Sequence, residues 1–234
     1  MQSIHILHLI EGAKQAKGLT VIIDVFRAFS LECYLFDRGA DVIRPVGTVE
    51  EAEQLRKAMP GSLLVGERGG KMCEGFDFGN SPSTIPEEAA KGKTIIHTTS
   101  AGTQGVVNAT DADEIITGSL VNAKAIATYI QAKQPKEVSL VCMGNAGIRP
   151  AAEDELCALY IKSILEGAEL PNIKERVAAL QFYGGEHFFD KDRQDIYPEA
   201  DFWLCTQLNR FPFIIHIEKD EHSFISRKEN IVIK

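Results

Sequence analysis

The chain has 234 residues, 44% of them hydrophobic and 25% charged, which is ordinary for a globular protein of one large or two small domains. Its net charge is −8 with no long basic block, so duplex nucleic acid is not expected as a partner. No apolar segment approaches the roughly 20 residues needed to span a bilayer, so no membrane partner is expected. The start, MQSIHILHLIEGAKQ, has neither a basic lead nor a small-residue cleavage site, and no signal peptide is read there.

In chain order, strands are predicted for IHILHL (4–9) and LTVIIDV (19–25), a helix for AFSLECYLFDRG (28–39), a strand for ADVIRPV (40–46) and a helix for TVEEAEQLRKAM (48–59). A strand GSLLVG (61–66), a helix IPEEAAKG (85–92), and strands KTIIHTT (93–99) and EIITGS (114–119) follow. The helix LVNAKAIATYIQAK (120–133), the strand EVSLVCMG (137–144), the helix AAEDELCALYIKSILEG (151–167) and the strand PFIIHIE (212–218) complete the pattern. Such alternation predicts an α/β fold, a layered and largely parallel or mixed sheet flanked by helices. Several strands are apolar throughout, as sheets covered on both faces require. One domain over 1–234 is expected. QAKQPKE around Pro135 is a seam between closely packed halves, 1–134 and 135–234.

The five cysteines, Cys33, Cys73, Cys142, Cys157 and Cys205, form no CxxC pair. They are expected in the core as small hydrophobes of a protein from a reducing cytoplasm. The six histidines form no HExxH cluster. In the tail, FYGGEHFFDKDRQD mixes aromatics and acids, and His187 is expected to pack locally.

Ligands of such folds gather outside the carboxyl ends of the strands. In VIIDVFRAFS a buried-looking strand delivers Asp24, with Arg27 three residues on. One reading is a helix cap or ion pair at a strand–helix junction; the other is a site for a metal and an anion. GSLLVGERGG delivers Glu67 and Arg68, TIIHTTSAGTQG a run of hydroxyls and glycines, and SLVCMGNAGIRPAAEDE the acids Glu153 and Asp154. Singly, each has a plain structural role as a surface pair, a cap or a complement to a helix dipole. The long polar loop KMCEGFDFGNSPSTIP is expected to be functional. Together, oxygen ligands without histidine or thiol clusters suit a hard cation such as Mg²⁺, and arginines with backbone N–H groups suit phosphate. The phosphate-loop and dinucleotide glycine motifs are absent.

DVFRA, GERGG, GFDFGNSP, TTSAGT, TGSLVNAKAIA and the AAEDE helix start resemble the 2-phosphosulfolactate phosphatase family, most densely over residues 21–160. The resemblance implies an α/β, Mg²⁺-dependent phosphatase, with some members serving coenzyme M biosynthesis. It implies a site between the halves and a small phosphorylated acidic metabolite, (R)-2-phospho-3-sulfolactate, as substrate. A homo-oligomer is left open. By the resemblance, Asp24, Arg27, Glu67 and Arg68 are catalytic. Asn80, Ser81, Thr98, Thr99, Gly102 and Thr103 bind substrate, and Asp24, Asp77, Glu153 and Asp154 hold the metal. Ser100-Ala101 stand where the family usually has Thr-Asn. Two rivals are a different phosphate-ester enzyme on the same scaffold and a non-catalytic binder of a phosphorylated metabolite.

Overall fold

The structure, a computed structural model, describes residues 3–232. In chain order its elements are β1 (Ser3–His8), α1 (Leu9–Gln15), β2 (Gly18–Ile23), α2 (Ala28–Asp37), β3 (Val42–Pro45), α3 (Val49–Ala58), β4 (Leu63–Arg68), β5 (Lys71–Met72), β6 (Thr94–Thr98), α4 (Gly102–Asn108), β7 (Ala112–Gly118), α5 (Ala123–Lys133), β8 (Glu137–Cys142), α6 (Ala152–Leu165), α7 (Ile173–Ala179), α8 (Glu199–Cys205), β9 (Phe213–Lys219) and β10 (Phe224–Asn230).

The strands form one mixed sheet in the order β1-β8-β2-β7-β9-β10-β3-β6-β4-β5. It contains two parallel sets, β1-β8-β2-β7 and β3-β6-β4. The C-terminal hairpin β9–β10 pairs antiparallel with both, through β7 on one side and β3 on the other. Parallel neighbours need crossovers, and α2, α3, α5 and their companions supply them. β8 lies between β1 and β2, so strands from either side of Pro135 are interleaved in the sheet rather than parted into lobes at 134/135.

The alternation of a strand decides the layers. In β2, Leu19, Val21 and Ile23 face α5 and α6, where Ile126, Ile130, Leu156 and Ile161 pack on them. Ile22 faces the other way, toward Ala13 of α1 and Val106 of α4. β2 is thus covered on both faces, which is why its sequence is mostly β-branched and apolar. Nearly all of α2 is buried; its Leu31 and Leu35 meet Ile43, Ile95 and Ile215 of the sheet. α3 is fixed at its start by a capping box, Thr48 with Glu51.

The predicted strands all form, with ends shifted by a few residues. IPEEAAKG is a correction: only one 3₁₀ turn, Glu87–Ala89, forms there. Pro86 stands before it and Gly92 turns to a φ of +66° just after it, too little chain for a second turn. Leu9 opens α1 instead of closing β1. All five cysteines are free and buried, as expected. Among the described residues no helix is long and apolar enough to cross a membrane.

Candidate active site

Asp24 sits just past the end of β2, where the chain turns into α2. Its Oδ1 accepts the Ala28 amide at 3.1 Å, so it satisfies one amide at the start of α2 without standing at the N-cap position, which Arg27 occupies. A neighbouring carboxylate does the same for the surrounding backbone. Asp154, in the first turn of α6, accepts the Val25 amide on Oδ1 at 2.8 Å and the Gly144 amide on Oδ2 at 2.7 Å. It ties the exits of β2 and β8 together. From the other parallel set, Glu67 at the end of β4 accepts the amides of Ser100 and Gly70, each at 2.7 Å, and the Ser100 hydroxyl at 3.2 Å. Gly102 lets the start of α4 approach: a Cβ there would lie 2.8 Å from the Ala28 Cβ and 2.9 Å from Asp24 Oδ2.

These carboxylates border a cavity of about 640 Å³, with Glu153 beside them. Burial, offset in part by the Ala28 amide and reinforced by Glu67, raises the Asp24 carboxyl to about 6. Burial, with Asp24 and Glu186 near, raises Glu153 to about 8. Asp154 is pushed well up by burial, then by Glu153 and Asp24. Glu153 Oε2 is buried with no hydrogen-bond partner, an expensive state for a polar atom. Carboxylates that raise one another's pKa, one of them with an orphaned oxygen, suit a hard divalent cation. Asp24, Glu153 and Asp154 are the residues that could hold one. Among the described residues the one group of three with all its ligand atoms within 4.8 Å of one another lies elsewhere, at His8, Cys142 and Glu155, and has a softer N/S/O character.

The facing wall is cationic and aromatic. Arg27 is 4% exposed, and its Nη1 donates to Asp201 Oδ2 at 2.7 Å and to the Ile196 carbonyl at 2.9 Å. Its Nη2 reaches the Gly70 carbonyl at 3.3 Å. The guanidinium carbon lies 5.1 Å from the centre of the Tyr197 ring. The Phe26–Arg27 peptide is cis, and Phe26 packs on Phe188 and Phe202. His187 meets the Tyr197 ring edge-on at 4.5 Å, and burial, then Arg27 and Arg193, pushes its imidazole down to about 4. Tyr183, His187, Arg193 and Tyr197 all line the cavity. His187 therefore faces the site as well as packing locally. A Cβ on Gly70, whose φ is +84°, would run into the Tyr197 hydroxyl.

Of the residues assigned from sequence, Asp24, Arg27, Glu67, Asn80, Glu153 and Asp154 come together around the cavity. The others do not border it. Arg68 lies behind the lining: Nη1 donates to the Glu67 carbonyl at 2.6 Å and Nη2 to Thr98 Oγ1 at 2.8 Å and the Gly47 carbonyl at 3.2 Å. Asp77 lies away from it too: Oδ2 accepts from Arg56 Nη1 at 2.7 Å and from the Leu64 amide at 2.8 Å, so it clamps the start of β4. Thr99 and Thr103 exchange side-chain and backbone hydrogen bonds and build the turn into α4. Ser81 donates to Asp201 Oδ1 at 3.0 Å and so supports the partner of Arg27.

Asn80 is held from behind. Its Oδ1 faces His97 Nε2 at 3.2 Å, while His97 Nδ1 faces Glu32 Oε1 at 2.9 Å and Glu32 Oε2 accepts from Ser226 at 3.1 Å. Glu32 and His97 are fully buried. Sequence reasoning missed both, along with Tyr197, Arg193 and Asp201. A histidine and a glutamate inside apolar runs, IIHTT and SLECYL, were the available signals; the others lie in segments without periodicity.

The family model described as 2-phosphosulpholactate phosphatase matches residues 4–220. A protein of Bacillus subtilis (strain 168), named as a probable 2-phosphosulfolactate phosphatase, is 31% identical over 205 residues, 86% of this chain and 88% of its own. A protein of the same name from Carboxydothermus hydrogenoformans is 40% identical over 163 residues, 69% of this chain and 67% of its own. One from Caldicellulosiruptor saccharolyticus is 40% identical over 144 residues, 60% of this chain and 59% of its own.

Proposed function

The chain belongs to the 2-phosphosulfolactate phosphatase family, and we propose that its cavity hydrolyses the phosphate monoester of a small acidic metabolite with Mg²⁺ as cofactor. By the names of its relatives that substrate is 2-phosphosulfolactate. One observation carries the proposal most: Asp24, Glu67, Glu153 and Asp154 meet from two parallel strand sets at one cavity, with Glu153 Oε2 buried and unpartnered.

Asp24, Glu153 and Asp154 would hold the cation, whose charge offsets both the carboxylates and the phosphoryl oxygens. Asp154 and Glu67 hold the loops around it in place through the amides of Val25, Gly144, Gly70 and Ser100. Arg27 lines the cavity with its orientation fixed by Asp201, Ile196, Gly70 and Tyr197, and its remaining N–H donors are the ones it would offer an anionic oxygen. Asn80 lines the cavity with its Oδ1 beside His97 Nε2, which leaves its amide nitrogen as the end to meet a substrate. Monoester hydrolysis is so slow in water that enzymes supply accelerations up to ~10²¹, and a shell of many donors is suited to that demand. We place the reaction in a reducing cytoplasm on the strength of five free, buried thiols; a part in coenzyme M biosynthesis rests on the family resemblance.

Phosphate release from a panel of monoesters tests this. Turnover with Mg²⁺ or Mn²⁺, loss with EDTA, and preference for a three-carbon phospho-acid are expected. Full turnover in chelated buffer would remove the metal, and a preference for nucleotides or sugar phosphates would remove the substrate class.

A further inference from the structure

We propose that Arg193, laid on the ring of Tyr197, binds a second acidic group of the substrate, a carboxylate or sulfonate a few bonds from the phosphoryl group, and so sets a preference for phosphate esters of acids over those of neutral alcohols. This rests on the phosphatase function proposed above.

Two guanidinium groups share one ring. Arg27 lies 5.1 Å and Arg193 4.6 Å from the centre of Tyr197. Their circumstances differ. Arg27 is buried and its charge is met by Asp201 at 2.7 Å. The Arg193 side chain has no hydrogen bond and no carboxylate partner among the described residues, only the ring beneath it. Two cations on one aromatic ring, one of them unmet, leave a charge for an anion to fill. His187, on the same ring, does not alter the count, because burial and the two arginines hold it neutral near pH 7.

The backbone that carries Arg193 is already ordered. Asp190 caps the turn Lys191–Arg193 through the Asp192 amide at 3.0 Å, and Gln194 Nε2 donates to the Phe188 carbonyl at 2.8 Å. The Tyr197 amide donates to the Arg193 carbonyl at 2.8 Å, which keeps ring and guanidinium on one turn. Elsewhere on the lining the carboxylates of Asp24, Glu67, Glu153 and Asp154 repel a bare anion. A phosphoryl group with its cation belongs there, and a second acid belongs at Arg193.

Binding of two unreactive probes, phosphonoacetate and methylphosphonate, to the Mg²⁺-loaded protein by calorimetry provides the test, because only the first carries a carboxylate. The wild type is expected to prefer phosphonoacetate by about 10- to 100-fold, the range of one charge-assisted contact. In Arg193→Gln the preference should collapse to within about threefold, and Arg193→Lys should fall between, since it keeps the charge but loses the fork. An undiminished preference in Arg193→Gln, or none in the wild type, would overturn the assignment. Arg193 is exposed and makes no side-chain hydrogen bond, so an unchanged Tm is expected and separates lost binding from lost fold. If the preference collapses as expected while no ester is hydrolysed by the wild type, the acid subsite stands and the phosphatase function falls.

Discussion

Arg27 Nη1 donates to Asp201 Oδ2 at 2.7 Å across 174 positions of sequence, and neither side chain is more than 4% exposed. Asp24, three residues before Arg27, is not its partner. The base just beyond β2 is therefore held by the last helix of the chain, α8, and the site depends on the C-terminal segment being folded. Removing one member of a buried pair leaves the other charged and unsolvated, which costs about 3–5 kcal/mol. Asp201→Ala should lose stability of that order in urea titrations, and Asp201→Ala with Arg27→Met should recover part of it. An unchanged denaturation midpoint for Asp201→Ala would show that the pair carries no such weight.

Glu153 gives a pH dependence with a definite sign. Its carboxyl is raised from 4.5 to about 8 by burial first, then by Asp24 and Glu186. The folded state thus keeps a proton that the unfolded state has released. The associated stability is fully present below about 4.5 and is lost as pH rises through about 8. Thermal melts of metal-free protein should show a lower Tm at pH 8 than at pH 5, with Mg²⁺ reducing the difference. Glu153→Gln should make the profile shallower and weaken the Mg²⁺ effect, the remainder coming from Asp24 and Asp154, which are raised as well. A wild-type profile that rises with pH over this window would contradict the assignment.

Asn80→Asp separates the two ends of one side chain. The carboxylate still offers His97 an acceptor, so the Glu32–His97 pair keeps its surroundings. The amide hydrogens facing the cavity are gone. We predict a kcat/KM lower by about 10- to 100-fold, in line with one lost hydrogen bond to a charged group, and a Tm within a few degrees of wild type. Unchanged kinetics would place the substrate away from Asn80.

Asp77 lies in the stretch that most resembles the family motif, yet it contacts Arg56 and the Leu64 amide and not the cavity. Asp77→Ala should lower stability by about 1–2 kcal/mol, as expected for a partly exposed hydrogen-bonded pair, while kcat with saturating Mg²⁺ stays near wild type. A large fall in kcat would return Asp77 to the metal ligands.

The strands and their carboxyl-end acids were legible because burial writes itself into sequence. β2 is apolar from Val21 to Ile23 and at Leu19, with Thr20 the one buried polar residue in the run, and an Asp after it stands out. The hairpin β9–β10 was half legible: Phe213–Lys219 is apolar, whereas the second half of Phe224–Asn230 is exposed and charged. Arg68 and Asp77 could not be placed, because motif membership does not say which way a side chain turns, and both turn into the β4–β6 framework. The wall built by Tyr183, His187, Arg193 and Tyr197 was illegible because short 3₁₀ turns carry no periodicity to read.

The most direct measurement is phosphate release from 2-phosphosulfolactate by wild type and Asp24→Asn, each with Mg²⁺. Asn keeps the shape and caps a helix as well as Asp, so the Ala28 contact survives and only the charge is removed. If Asp24 belongs to a metal-dependent phosphatase centre, kcat should fall by orders of magnitude while Tm holds or rises. Near-normal turnover by Asp24→Asn would reduce Asp24 to an amide acceptor at the start of α2 and contradict the account of the site.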